Sequence, residues 1–210
     1  MKIHTQTSLF FIRHAQTISN QQNIKQGTKI DDYLDTQGLV DVQKNLIPIV
    51  KLLDLDIIFT SYLLRAEETA AMLKQSLKTP IPILHDYRLR ERNFGALSGK
   101  HITEIKKLIP DFDQRETFQT YDYRKFDGES SLEVQRRVVS AIYDIAQNQN
   151  MQNVGIITHG GVIRTVLYLF PQVVRIYHRG ENPLKDIANC DIYEWEVHKK
   201  DLDELKSLIK

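Results

Sequence analysis

Short apolar runs alternate with longer amphipathic stretches along this chain. The runs at residues 9–12, 57–60 and 153–158 have the length and apolar content of strands that are buried on both faces of a sheet. Residues 65–77 and 131–148 have apolar positions at helical spacing, and the second stretch follows a Ser-x-x-Glu capping box. Strands that alternate with helices in this order predict an α/β fold with a largely parallel sheet.

Weaker patterns predict the remaining elements. A helix should begin near Thr36, and Pro48 within its pattern should kink it or split it. Residues 81–84 predict a short peripheral strand, because prolines are confined to the edges of sheets. Residues 192–197 alternate in polarity, which predicts a half-exposed strand whose edge could pair with a second copy of the chain. Two more helices are predicted, over residues 161–170 and 201–210.

The stretch at residues 99–128 interrupts this alternation. It is polar, with aromatic and basic patches, and we interpret it as a cap-like insertion over the strand ends rather than as a second domain. Residues 1–210 are therefore predicted to form one domain. The predicted architecture is a three-layer α/β/α sandwich with a mostly parallel central sheet and a small cap.

Two histidines follow buried strands. His14 comes after the run at 9–12 and His159 after the run at 153–158, with Arg13 and Arg164 nearby. Open α/β sheets bind ligands at the carboxyl ends of their strands. A single histidine in such a place is more often a core or capping residue, and histidines also bind metals. Arginine neighbours repel a divalent cation and attract an oxyanion, so the pattern favours a phosphate site without a metal.

Arg65 and Glu91 are weaker candidates for the same site. Arg65 follows the run at 57–60 and is predicted at a helix N-terminus, where anions are favoured, although a solvated helix arginine has the same pattern. Glu91 lies between Arg90 and Arg92. It belongs either to a surface ion-pair cluster or to the catalytic machinery, as a general acid for a leaving group.

Taken together and in order, these motifs resemble the histidine phosphatase superfamily, which includes phosphoglycerate mutases and fructose-2,6-bisphosphatases. The resemblance covers nearly the whole chain. Each motif alone is a weak indication of the family, but the motifs together are specific to it. The matching motifs are Arg13-His14 with Asn20, Arg65-Ala66-Glu67-Glu68-Thr69-Ala70, Glu91, and His159-Gly160-Gly161 followed by Val162-Ile163-Arg164.

The resemblance implies a role for each matching residue. His14 is the expected nucleophile, which forms a phosphohistidine, and Glu91 is the expected proton donor to the leaving oxygen. We expect Glu91 to have a raised pKa, through its surroundings or through bound phosphate. We also expect His159 to be protonated, and neither a metal nor a cofactor to be needed. The expected phosphate ligands are Arg13, Asn20, Arg65, His159 and Gly160, of which the two arginines and the histidine also assist catalysis.

The resemblance favours a phosphatase that acts on a small phosphorylated metabolite. A phosphoglycerate mutase is the alternative. It is less favoured because dedicated mutases of the superfamily are generally longer than this chain. A catalytically weak phosphate-ester-binding regulator is another, although such proteins usually lack the nucleophile or the acid. Aromatic residues of the insertion could contact the leaving group and its basic residues could bind a second anionic group, but ordinary packing and solvated surface charge are the more common explanations for such residues. These residues are Phe112, Phe118, Tyr121, Tyr123, Lys100, Lys106, Arg115, Arg124 and Lys125.

The composition of the chain bears on which classes of partner it could bind and on its cellular compartment. The chain has 28 basic and 27 acidic residues, and a formal net charge of +1 gives no support for a nucleic-acid or membrane partner. Cys190 is the only cysteine, which excludes a disulfide within the chain and fits a reducing compartment. Residues 1–8 lack a hydrophobic signal region, so we expect a cytoplasmic protein, either a monomer or a homodimer.

Overall fold

The sheet runs through the middle of the part of the chain that the structure describes. This part comprises residues 6–148, 151–178 and 187–209 of a computed structural model. The strands pair in the spatial order β3-β2-β4-β1-β6-β5. Strands β1 to β4 are parallel, whereas β6 pairs antiparallel with β1 and β5 pairs antiparallel with β6, so the mostly parallel sheet is confirmed. The strands are β1 (Thr7–Arg13), β2 (Ile57–Thr60), β3 (Ile83–His85), β4 (Asn153–Thr158), β5 (Val174–Tyr177) and β6 (Ile192–Val197).

Helices cover both faces of the sheet. Successive side chains of β1 alternate between two hydrophobic clusters, because strand side chains point to opposite faces. Leu9 and Phe11 lie in the cluster that includes residues of α7 to α9, and Phe10 and Ile12 lie in the cluster that includes residues of α3 and α4. The three-layer sandwich is thereby confirmed. The helices are α1 (Ile18–Gln21), α2 (Thr36–Asp41), α3 (Ile47–Val50), α4 (Leu64–Ser76), α5 (Ile102–Leu108), α6 (Phe112–Thr117), α7 (Ser131–Ala146), α8 (Gly160–Leu169) and α9 (Lys199–Ile209).

The predicted helices begin and end within about two residues of the observed ones. The helix that begins at Thr36 contains a π-helical turn, Val42–Leu46, between α2 and α3. Pro48, which lacks a backbone N–H, lies in the first turn of α3 directly after this turn. The backbone stays helical at the junctions, so the proline interrupts the hydrogen bonding without ending the helix. The end of the last predicted helix, Lys210, lies outside the described residues.

The predicted free edge at residues 192–197 is wrong. Strand β6 lies inside the sheet between β1 and β5, and its Trp195 is only 1% exposed. The alternation comes from Glu194 and Glu196, which face outward, whereas the other face of the strand packs in the core. Strand β5, an edge strand of four residues, was not predicted because its alternating pattern is too short to stand out.

The insertion at 99–128 contains α5, α6 and a 3-10 turn, Arg124–Phe126. Phe112, Tyr121 and Tyr123 are buried in the same hydrophobic cluster as Leu9 and Phe11. The insertion therefore packs onto the core of the sheet, which favours the prediction of a single domain. Across the described ranges, the helices are too short or too polar to cross a bilayer.

Candidate active site

The carboxyl ends of three adjacent parallel strands bring the predicted site residues together. His14 follows β1, Arg65 lies in the first turn of α4 beyond β2, and His159 follows β4 as the N-cap of α8. Arg13 lies opposite Thr158 in the sheet register, and the His14 backbone N–H donates to the Thr158 carbonyl at 2.9 Å. The pairing of β1 with β4 thus sets the two histidines side by side.

His14 is buried and oriented. Its Nδ1 lies 2.7 Å from the Ala15 carbonyl oxygen, so Nδ1 is the donor and Nε2 has the free lone pair. Burial lowers the pKa of His14 well below its ordinary 6.5, and the charges of Arg65 and Arg13 lower it further. A neutral imidazole is the form that can attack phosphorus.

His159 lies against the ring of His14, with the two ring centroids 5.1 Å apart. It is completely buried, and neither ring nitrogen has a hydrogen-bond partner among the described residues. Burial, followed by the charges of Arg65, Arg137 and Arg13, lowers its pKa well below 6.5. The prediction of a protonated His159 is therefore wrong, because burial and the surrounding positive charge both disfavour an imidazolium.

Arg13 and Arg65 line the cavity between the strand ends. An Nη1–H of Arg13 donates to the Ile187 carbonyl. Arg65 donates through Nη1 to the Ile30 carbonyl at 3.1 Å and through Nη2 to the Gly27 carbonyl at 2.9 Å. In both residues the buried Nε–H has no partner in the described ranges. These held guanidinium groups present N–H donors of the kind that bind phosphate oxygens.

Asn20 and Gly160 also line the cavity. The Oδ1 atom of Asn20 accepts from the Thr17 backbone N–H at 3.2 Å and from Asn189 Nδ2 at 3.2 Å, so its own Nδ2 is the atom available to a phosphate oxygen. Asn189 Nδ2 also donates to the His14 carbonyl at 2.8 Å. Gly160 is the first residue of α8, whose N-terminus faces the site and favours an anion.

Glu91 reaches the same cavity from the loop after β3. Its Oε1 accepts from the Arg92 backbone N–H at 2.8 Å, and its Oε2 accepts from the Gly161 backbone N–H at 3.1 Å. The Thr158 hydroxyl donates to the Leu89 carbonyl at 2.8 Å and so ties this loop to the end of β4. Glu91 is thus held in the cavity that His14 also lines, rather than in a surface ion-pair cluster.

The surroundings of Glu91 keep it ionised. Burial by itself raises its pKa, but Arg92, the two backbone N–H donors and Arg65 together lower the pKa to about 2. The expectation that the protein surroundings raise this pKa is therefore wrong for the ligand-free site. The other expected cause, a bound phosphate, remains, because a dianion beside the carboxylate disfavours its ionised form.

Arg92 and Glu116 form a buried pair that sequence reasoning did not place in the site. Arg92 Nη1 donates to Glu116 Oε1 at 2.7 Å, and the Tyr123 hydroxyl donates to the same oxygen at 2.5 Å. Both charged residues line the cavity, and Arg92 also lies 3.6 Å from Glu91 through its Nε. Nothing in the local sequence links positions 92 and 116, because they meet only when the insertion folds back.

One cavity of about 360 Å³ is lined by Arg13, His14, Asn20, Arg65, Glu91 and Gly160. His159 is not among its lining residues and reaches the site only through its contact with the His14 ring. Lys25, which had no predictive signal in its polar loop, lines this cavity together with Arg164. The Lys25 Nζ lies 5.4 Å from the centroid of the Phe112 ring and 5.9 Å from that of Phe94. Within the described ranges, the charged lining residues are Arg13, Lys25, Arg65, Arg92, Arg164, Glu91 and Glu116.

The aromatic and basic residues of the insertion that were considered as contacts for a leaving group do not line this cavity, which agrees with the preferred explanations of packing and solvated charge. Phe112, Tyr121 and Tyr123 pack in the core, and Phe118 is exposed. Three of the basic residues pair with neighbouring carboxylates of the insertion, namely Lys106 with Asp113, Arg115 with Asp111 and Arg124 with Asp122. Lys100 and Lys125 likewise lie outside the cavity. In the described part of the chain there is no cluster of three or more histidine, cysteine or acidic residues that could hold a metal ion.

Comparison with known proteins gives a consistent result. The sequence profile of the histidine phosphatase superfamily, branch 1, matches residues 9–205. A Hydrogenobacter thermophilus protein that bears the name phosphoserine phosphatase 2 is 30% identical over 161 residues, which cover 77% of each chain. The Saccharomyces cerevisiae broad-specificity phosphatase YOR283W is 29% identical over 177 residues, which cover 76% of this chain and 68% of its own. The structure of Bacillus stearothermophilus YhfR superposes with a TM-score of 0.73 at 28% identity and covers 92% of both chains.

Proposed function

The chain belongs to the histidine phosphatase superfamily and is a phosphatase, and on that premise we propose that it hydrolyses phosphate monoesters of small molecules through a phosphohistidine on His14. One observation supports this role above all others. His14 is buried with a pKa well below its ordinary value, its Nδ1 donates to the Ala15 carbonyl, and its cavity is also lined by Arg13 and Arg65. This is the arrangement that in-line attack on a phosphate dianion requires.

In the first step, His14 Nε2 attacks phosphorus. The N–P bond forms while the P–O bond to the leaving group breaks. Arg13 and Arg65 neutralise the transferring group, and His159, which has no other hydrogen-bond partner in the described ranges, contributes a ring nitrogen. Removal of one such donor typically costs about 2.7–4 kcal/mol of transition-state stabilisation.

Glu91 moves the proton in both steps. As the dianion binds, Glu91 takes up a proton and then gives it to the leaving oxygen, so that an alcohol departs. Glu91 is then a carboxylate again and accepts a proton from water as the water oxygen attacks phosphorus. The N–P bond breaks, inorganic phosphate forms, and the neutral imidazole of His14 is restored.

Hydrolysis of p-nitrophenyl phosphate in the presence of a chelator tests this proposal. We expect turnover by the wild-type protein, and a loss of at least about a thousandfold in His14→Ala, because the covalent route is removed. His198→Ala, which removes an exposed histidine near the C-terminus, is the matched control and should retain activity. Rapid acid quench should trap a radiolabelled phosphoprotein in the wild type and none in His14→Ala. Undiminished hydrolysis by His14→Ala would refute the assignment of the nucleophile.

A second assay on the wild-type protein distinguishes phosphatase activity from mutase activity. With 3-phosphoglycerate as the substrate, we expect inorganic phosphate to appear faster than 2-phosphoglycerate. A mutase must protect the phosphohistidine from water until the phosphoryl group is returned, whereas a phosphatase transfers it to water. Isomerisation that outpaces phosphate release would favour a mutase.

A further inference from the structure

The cavity has more positive charge than one phosphate group neutralises. Five cationic side chains and two carboxylates line it in the described ranges, so with neutral histidines its formal charge is +3. A phosphate monoester supplies about −1.5 to −2 near neutral pH. At least one positive charge of the lining is left without a counter-charge when such an ester binds.

This surplus charge belongs to Lys25 and Arg164. Arg92 is paired with Glu116, and Arg65 lies 3.6 Å from the Asp31 carboxylate and donates to two loop carbonyls. By contrast, the Lys25 ammonium and the Arg164 guanidinium make no hydrogen bond or ion pair with any residue in the described ranges, and Lys25 is attracted by Glu116 and Glu91 only through space. Partly buried charges without partners are unfavourable, so this part of the cavity favours an additional anion.

The two cations line the same cavity as Glu91, the proposed proton donor to the leaving oxygen. Arg164 lies one turn along α8 from Gly161, whose backbone N–H donates to Glu91. The Lys25 Nζ lies 5.4 Å from the centroid of the Phe112 ring and 5.9 Å from that of Phe94. Both cations are therefore available to a leaving group that occupies this cavity.

We propose that Lys25, together with Arg164, binds a second anionic group on the leaving group of the substrate, either a carboxylate or a second phosphate. Lys25 is then the specificity-determining residue of this enzyme, and its preferred substrates are dianionic esters with a further negative charge. The proposal rests on the phosphatase chemistry proposed for His14.

Two matched pairs of esters test it. 3-Phosphoglycerate and glycerol 1-phosphate differ in a carboxylate, and the bisphosphate and monophosphate of 1,3-propanediol differ in a second phosphate. The measured quantity is the ratio of kcat/KM between the two members of a pair. We expect the wild type to prefer the anionic member of one pair at least about tenfold, because a charge-assisted hydrogen bond contributes on that scale. The pair that shows the preference identifies the anion.

Variants then assign the preference to Lys25. Lys25→Met keeps the apolar stem without the charge and should lower the ratio about tenfold, whereas Lys25→Arg should retain part of it. Lys100→Met is the matched control, because Lys100 does not line the cavity. The ratio of kcat/KM values in this variant should equal the wild-type ratio.

The outcomes separate this proposal from the proposed function. A wild-type ratio near one in both pairs, or an equal ratio in the wild type and Lys25→Met, would overturn the anion subsite. Hydrolysis of p-nitrophenyl phosphate that depends on His14 would leave the phosphatase chemistry in place in that case. A wild-type protein that hydrolyses none of these esters would contradict both proposals.

Discussion

The backbone N–H of Gly161 donates to Glu91 Oε2 at 3.1 Å, and this contact leaves no room for a side chain at position 161. A Cβ atom there would lie 2.1 Å from Glu91 Oε1 and 2.5 Å from Arg92 Nε. The glycine therefore lets the first turn of α8 approach the carboxylate closely enough to bind it. The position of the proposed proton donor depends on this close approach.

Gly161→Ala should displace Glu91 and impair proton donation to the leaving group. General acid catalysis contributes about a hundredfold or more for a poor leaving group, so we expect kcat/KM for an alkyl phosphate to fall at least about tenfold. The loss should be smaller for p-nitrophenyl phosphate, whose leaving group needs little protonation. Gly160→Ala is the comparison, because a Cβ atom there would lie at an ordinary 3.5 Å from Arg13, and its loss should be smaller. Equal losses for both leaving groups would contradict the role of Glu91.

Binding of an oxyanion should be accompanied by proton uptake. The pKa of Glu91 is about 2 in the ligand-free site, and a dianion beside the carboxylate raises this pKa. Calorimetric titration with sulfate, which stays a dianion, in two buffers of different ionisation enthalpy measures the uptake. Glu91→Gln should reduce it, whereas Glu104→Gln, which changes an exposed residue of α5, should not. Identical uptake in Glu91→Gln and in the wild type would show that Glu91 does not take the proton.

Stability should fall as the solution becomes mildly acidic. The folded-state pKa values of His14 and His159 lie well below the value of about 6.5 expected in the unfolded chain. Below about pH 6.5 the unfolded state therefore binds more protons, and the free energy of unfolding decreases towards lower pH, by up to about 1.4 kcal/mol per pH unit for each group. Above about pH 6.5 both histidines are neutral in the folded and in the unfolded chain, so they cause no loss of stability there. Urea unfolding at several pH values measures the slope, and His14→Asn should reduce it by the share of one group.

The buried pair of Arg92 and Glu116 should be important for folding as well as for the shape of the site. Glu116→Ala leaves the guanidinium of Arg92 and the hydroxyl of Tyr123 without their shared acceptor. Breaking a buried pair of this kind costs about 3–5 kcal/mol, which urea unfolding would detect as a lower free energy of unfolding. Asp113→Ala breaks the exposed pair with Lys106 and should change stability by only about 0–1 kcal/mol. Similar effects of the two substitutions would contradict this account.

Local patterns in the sequence were sufficient for the framework of the site. Residues 9–12 and 153–158 indicated buried strands, and His14 and His159 at their ends lie together in the structure. The same kind of reasoning failed for strand β6, because two outward-facing glutamates give an internal strand the alternation of an exposed one. It also directed attention to the basic residues of the insertion, whereas the cations in the cavity outside the matching motifs are Lys25 and Arg92.

The sequence by itself determined the order of strands and helices and which residue types follow each strand. Both can be predicted from short stretches, because the spacing of apolar residues depends only on neighbouring positions. Only the tertiary structure decided the protonation states of His14, His159 and Glu91, since these depend on burial and on charges from distant segments. It also decided that Lys25 faces the cavity and forms no ion pair with a residue of the described ranges. Electrostatic fields act through space, and the chain brings their sources together only when it folds.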